Sequence, residues 1–293
     1  MLNEDVTAGS RSVPVRYPKT RRVRFPFGTD RQYGKYFVND DSVFSHFVAG
    51  LSGAFPPGEE AFIRSVRVFS DRITDPDLKK RVAGFIGQES MHGQEHRRLN
   101  DKLIAMGYRI GWGDSKAMER RRLRFEQLIS PLAHLAMTAA AEHYTAVLAE
   151  RVLSLDEIQA IPGDDAVWHL LNWHALEELE HKSVAFDVYR SVGGGETTRI
   201  AVMAALIALT LPLVATTLTL SLAGDRQARR HPLRVVREAR ALFGGPLFRG
   251  LMGDLAKYLR PGFHPDDIDT DALLRRWQQE LFGAEGALVE YVR

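Results

Sequence analysis

The chain has 293 residues, 45% of them hydrophobic, and a net charge of +2. That is enough for one large domain or a domain with an appendage, and too little net charge to argue for nucleic acid. There is no cysteine, which excludes disulfides, cysteine-ligated iron–sulfur clusters and thiolate catalysis.

Residues 1–35 are rich in Arg, Pro, Gly and Thr and show no sustained period, so they are expected to form an arm over the domain or to be partly disordered. They hold no continuous apolar core, and no cleavable secretory signal is expected. Arg11, Arg16, Lys19, Arg21, Arg22 and Arg24 make the arm basic. A solvated surface is the ordinary reading of such a run and contact with anionic lipid the sharper one.

Val43, Phe44, Phe47, Val48 and Leu51 recur at helical spacing and predict a first helix or half-helix over 41–55. Pro56-Pro57-Gly58 is expected to break the chain and restart it, with a second helix over 59–74. In that helix Glu59 shares a face with Phe62, Ile63 and Val66, which looks inward, whereas Glu60 shares one with Arg64 and Arg67. A glutamate in a first turn more often complements the helix dipole, so Glu59 is a candidate ligand only in the company of the motifs below.

Asp75-Pro76-Asp77 starts a central helix that runs to about residue 106. A connection over 107–115 leads to a basic, polar helix over 116–128. Pro131 opens a third core helix to about residue 153, with Leu135, Ala139, Glu142 and Ala146 on one stripe. A carboxylate on such a face is costly unless it is paired or metal-bound. After a loop at 156–165, a fourth core helix is predicted over 165–191, ended by Gly193-Gly194-Gly195.

No charged residue lies between Arg199 and Asp225, and 200–223 is long and apolar enough to cross a bilayer. Arg226, Arg229, Arg230, Arg234 and Arg237 follow, as on a cytoplasmic flank. The alternative is a buried core helix, or a helix pair broken at Pro212. Amphipathic helices are predicted around 235–243, 247–259 and 273–282. The resulting organisation is a basic arm (1–35), a helical bundle (36–195), an apolar helix (196–225) and C-terminal amphipathic helices (226–293).

Two segments carry the chemistry. In Gln88-Glu89-Ser90-Met91-His92-Gly93-Gln94-Glu95-His96, helical spacing puts Glu89, His92 and His96 on one face. In His174-Ala175-Leu176-Glu177-Glu178-Leu179-Glu180-His181 it does the same for His174, Glu178 and His181, in mirrored order. One Glu-x-x-His is weak evidence. Two of them, with Glu59 and Glu142 on the other two core helices, give the ligand order of a dinuclear carboxylate site in a four-helix bundle. Glu89 and Glu178 are the candidate bridges, and Glu59 and Glu142 the caps. His96 and His174 are each a third nitrogen ligand or a hydrogen-bonding support. Glu177, four residues before His181, replaces Glu178 if the helix is rotated. Gln88, Glu95, Asn100, Tyr144 and Asp187 are candidates for support, and His143 points away from the stripe. Hard carboxylates with imidazoles and no thiolate suit two iron ions, with manganese or zinc as alternatives.

The run Phe55-Pro56-Pro57-Gly58-Glu59, the 85–96 segment with Asn100, Glu142-His143 and Glu178-Leu179-Glu180-His181 resemble the bacterial proteins named predicted metal-dependent hydrolases, over roughly residues 30–260. The resemblance implies metal binding by these glutamates and histidines, and the name implies hydrolysis. The helix order also resembles the ferritin-like di-iron carboxylate enzymes, including N-oxygenases with an added histidine, which would imply oxygen activation.

The expected fold is all-α: a ferritin-like four-helix bundle with additional C-terminal helices and one long apolar helix or helix pair. The leading functional expectation is an oxygen-dependent di-iron oxidase or oxygenase acting on a lipophilic or small organic substrate. A hydrolase using metal-activated water and a non-catalytic metal-binding protein are the alternatives. The expected location is the cytoplasmic side of a membrane, held through 200–223, or else the soluble cytoplasm. A homodimer is allowed.

Overall fold

A computed structural model describes residues 17–29 and 33–293; Arg11 and Arg16 of the basic arm lie outside the described residues. The chain is all-α, and no sheet forms among the described residues. Only single antiparallel bridges occur there, between Val23 and Val292 and between Val38 and Gly163.

The core is built by α1 (Ser42–Arg67), α2 (Pro76–Ala105), α4 (Pro131–Ser154) and α6 (Asp165–His181), with the basic α3 (Lys116–Leu128) outside. Each core helix starts on a side-chain cap. Asp41 accepts from the Phe44 N–H, Asp75 from Asp77, Ser130 from Ala133, and Asp164 from Ala166 and Val167. Pro76 and Pro131 sit in the first turns of α2 and α4, where a missing N–H costs nothing. The remaining elements are α5 (Asp156–Gln159), α7 (Val184–Ser191), α8 (Glu196–Gly224), α9 (Arg226–Arg230), α10 (Pro232–Gly244), α11 (Leu251–Ala256) and α12 (Asp271–Phe282).

Pro56-Pro57 does not break the chain. One 26-residue helix runs through both prolines, so the expected pair of helices at 41–55 and 59–74 is a single element. Pro56 cannot donate to the Ser52 carbonyl four residues back; the Asn100 side-chain amide donates to that carbonyl instead, at 2.9 Å. A residue on α2 thus repairs the ladder of α1. The predicted 165–191 helix, by contrast, divides after His181. Lys182 turns inward there, its ammonium donating to the Ile268 carbonyl at 2.5 Å, and Ser183 accepts from Arg81 at 2.7 Å.

The apolar segment is a continuous 29-residue helix through Pro212, neither a broken pair nor a core helix. Only Arg199, Met203, Leu218 and Ser221 of α8 are buried, one stripe laid against α4 and α1.

The arm lies on the bundle as far as it is described. Phe25 packs on Trp173 and Tyr291, and its N–H donates to Glu95. The stretch Tyr17–Thr20 crosses α2 where that helix carries Gly84 and Gly87. A Cβ at either position would overlap Pro18 or Thr20, so only glycine allows the arm to approach so closely.

Candidate metal centre

The inward faces of α1, α2, α4 and α6 bring Glu59, Glu89, His92, Glu142, Glu178 and His181 together, each between 0 and 4% exposed. The arrangement has two halves. His181 Nε2 lies 3.0 Å from Glu89 Oε1, 3.2 Å from Glu142 Oε2 and 3.4 Å from Glu178 Oε2. His92 Nδ1 lies 3.8 Å from Glu89 Oε2 and 4.0 Å from Glu178 Oε1. Glu89 and Glu178 therefore each turn one oxygen toward each histidine. Glu59 joins the His92 half and Glu142 the His181 half.

The donors suit metal cations. Both oxygens of Glu59, Glu89 and Glu142, with His92 Nδ1 and His181 Nε2, are shielded from water and make no hydrogen bond. Eight converging donor atoms without partners are very costly in a protein interior. A Cβ on Gly93 would stand 3.2 Å from Glu59 Oε2, so the absent side chain leaves room around that carboxylate.

Without cations, protons must do the same neutralising work. Burial, reinforced by Glu89, raises Glu59 well above the usual carboxylate range. Burial likewise pushes Glu142 up to about 8, against the pull of His181. Burial alone would lower both histidines, but the hydrogen bond with Glu177 and the nearby Glu89 carboxylate lift His92 to about 10. The carboxylates of Glu178, Glu142 and Glu89 lift His181 well above the ordinary imidazole value. Glu89 and Glu178 are held low despite burial, principally by His181.

The outward-facing nitrogens are fixed by a second layer. His92 Nε2 meets Glu177 Oε2 at 3.1 Å. His181 Nδ1 meets Gln88 Oε1 at 2.9 Å, and the Gln88 amide donates to Glu180 Oε2 at 2.7 Å. Both lines end on one residue. Arg21 of the arm donates to Glu177 at 2.9 Å and to the two oxygens of Glu180 at 2.7 and 2.6 Å. Glu177 is thus a partner of His92, and Glu178 is the carboxylate that faces the centre.

His174 and His96 continue inward from Glu178 in a chain. His174 Nε2 is 2.8 Å from Glu178 Oε1 and 3.7 Å from Glu59 Oε1. Its Nδ1 is 2.7 Å from His96 Nε2, and His96 Nδ1 is 2.9 Å from Ser52 Oγ. Hydrogen-bond polarity runs one way along this chain. The Asn100 amide nitrogen must face the Ser52 carbonyl that Pro56 leaves free, so Asn100 Oδ1 accepts from Ser52 Oγ at 2.7 Å. The Ser52 hydroxyl has one proton. Its oxygen then accepts from His96 Nδ1–H, His96 Nε2 accepts from His174 Nδ1–H, and the neutral His174 keeps a bare Nε2. Burial, followed by the neighbouring imidazoles His174 for His96 and His92 for His174, lowers both pKa values and keeps them neutral. Two acceptors, Nε2 and Glu178 Oε1, consequently face each other across 2.8 Å, and a metal ion ligated by both would relieve their repulsion.

His143 is buried against Tyr258 and Phe263 instead. Glu95 holds the arm, and Asp187 pairs with Arg81 and His264. Sequence reasoning missed Arg21, Ser52, Glu180 and Thr145, whose hydroxyl donates to Glu178 Oε2. Thr145 lies one turn from Glu142 on a helix already predicted to face inward, which is a usable signal; an arginine in an aperiodic arm offers none.

The profile of the predicted metal-dependent hydrolase family matches residues 19–269. No curated protein and no solved structure matches the chain.

Proposed function

We propose that this chain, which belongs to the predicted metal-dependent hydrolase family, holds two divalent metal ions in its bundle and hydrolyses a small or lipid-like substrate. The observation that carries the reading is the set of eight buried donor atoms, converging from four helices without a hydrogen bond among them. Glu142 and His181 would hold one ion and Glu59, His92 and His174 the other, with Glu89 and Glu178 shared between them. Two ions in such a set lower the pKa of a water and polarise an ester or phosphate oxygen. Four carboxylates balance the charge of two divalent ions, so the loaded centre is neutral. Arg21 keeps Glu177 on the outer nitrogen of His92 and, through Glu180, holds Gln88 on that of His181, so that the other nitrogens of both face inward. The His96–His174 pair orients a neutral imidazole toward the Glu59 half. That half therefore has two nitrogen donors and the other has one, so the two ions would be inequivalent.

A second reading rests on the donor set itself. Glutamates and imidazoles without thiolate, all on bundle helices, suit iron and oxygen-dependent oxidation. The family description favours hydrolysis, which reverses the order expected from the motifs alone.

Metal analysis of protein purified without added metal tests the common premise, with about two ions per chain expected. Turnover of ester and phosphoester substrates, lost on chelation and in Glu89→Ala and His181→Ala, supports hydrolysis. Oxygen uptake by the reduced iron-loaded protein, with no hydrolysis, supports oxidation. Absence of stoichiometric metal removes both.

A further inference from the structure

We propose that the outer face of α8, with the arginine-rich helices α9 and α10 that follow it, is a docking surface for an anionic lipid bilayer, on which α8 lies flat rather than crossing.

A helix on the surface of a water-soluble protein normally carries charge on the side away from the core. The outer side of α8 carries none. Leu209, Leu211, Leu213 and Leu220 are 60–67% exposed, interspersed with alanine and threonine, and no charged residue occurs between Arg199 and Asp225.

The inner side explains why the helix does not span. Arg199 at its start is fully buried and donates to the Tyr258 and Arg260 carbonyls. Ser221 near its end meets His46 Nδ1 at 2.7 Å, and the Asp225 cap is held by Lys35 and Tyr36. Both ends, and the stripe between them, are thus fastened to the bundle. A helix packed along one side against α4 and α1 has only one face for lipid, which is the geometry of an interfacial helix.

Charge selects the occupant. Arg226, Arg229, Arg230, Arg237 and Arg240 are exposed and carry no ion pair among the described residues, and Leu233 and Val236 stand among them, 85% and 47% exposed. Apolar side chains inside a cationic rim match acyl chains beneath anionic headgroups. A second copy would bring the same excess of arginines, with the exposed Asp40 already paired to Arg234. A groove of about 370 Å³ adjoins the face, lined by Leu51, Ala54, Ile110, Met118, Leu213 and Leu218. Its volume and largely apolar lining suit a single acyl chain, with Arg109 and Arg122 at hand for an anionic headgroup.

The test is flotation of the full-length, metal-loaded protein with phosphatidylcholine vesicles, with and without 30% phosphatidylglycerol (roughly, to set a cellular surface charge). Binding to the anionic vesicles is expected to be about tenfold or more above the neutral ones and to weaken with salt. Leu209→Glu with Leu213→Glu should lose it while helicity and metal content stay unchanged. Arg226→Gln, Arg229→Gln and Arg230→Gln together should reduce it to the neutral-vesicle level. Equal binding by the leucine variant, or no flotation with either vesicle, overturns the proposal. So does a stable dimer that the leucine variant turns into a monomer, because a second copy then covers the face. The chain lacks cysteine, so Thr197→Cys and Ala223→Cys report the two ends of α8 separately. Labelling from the same side of a membrane supports the flat arrangement, and labelling from opposite sides refutes it.

Discussion

Loading the metal-free protein with manganese at pH 7 is expected to release about four protons for every two ions bound. Ligation requires ionised carboxylates and neutral imidazoles. In the metal-free centre Glu59 and Glu142 are protonated, the latter with its pKa pushed up to about 8, and His92 and His181 are charged, the former with its pKa lifted to about 10. Two carboxyl protons and two imidazolium protons must therefore leave. His96 and His174 are already neutral and contribute none. The exchange conserves charge, with two divalent ions replacing four protons, so the buried centre stays neutral. Linkage fixes the sign. Raised pKa values keep the protons on the free protein, so affinity rises with pH, by about four logarithmic units per pH unit for the pair near neutrality. The slope should flatten above about pH 8 as Glu142 ionises in the free protein as well. Calorimetric titration in two buffers of different protonation enthalpy gives the proton count directly, and affinities at pH 6.5 and 7.5 give the slope independently. Release of one proton or fewer would refute the assignment of these four residues as the groups that exchange protons for metal.

Two further predictions concern the scaffold around the centre. Asn100→Leu leaves the Ser52 carbonyl without a donor and should destabilise the fold by about 1–3 kcal/mol in chemical denaturation. The same change in a Pro56→Ala background should cost less, because an alanine there restores the backbone donor; an unchanged cost would sink this account of α1. Arg21→Met should weaken metal binding about 10–100-fold, since it releases the carboxylates behind both His92 and His181. Arg21→Lys should fall between, as an ammonium cannot span Glu177 and both oxygens of Glu180; competition with a chelating dye measures both, and full affinity in Arg21→Met would show that the arm is irrelevant to the centre.

Helical periodicity alone decides which residues can face one another. The helical period puts Glu89 with His92, Glu178 with His181, and Glu59 and Glu142 each on an inward stripe, because side chains three, four or seven apart share a face whatever the helix packs against. The same period could not choose between Glu177 and Glu178, since both are within a turn of His181. Only the rotation of α6 against α2 decided that, sending Glu177 to His92 Nε2 and Glu178 to the centre. The continuity of α1 was equally out of reach, because the donor that replaces Pro56 stands on α2, more than forty residues away in the chain. That distant amide also fixes the polarity of the chain through Ser52, His96 and His174. Arg21 joined the centre only through the packing of an aperiodic arm over Gly84 and Gly87. Local periodicity is a property of one helix, whereas hydrogen-bond direction, second-layer charge and the exposed side of α8 depend on which elements meet.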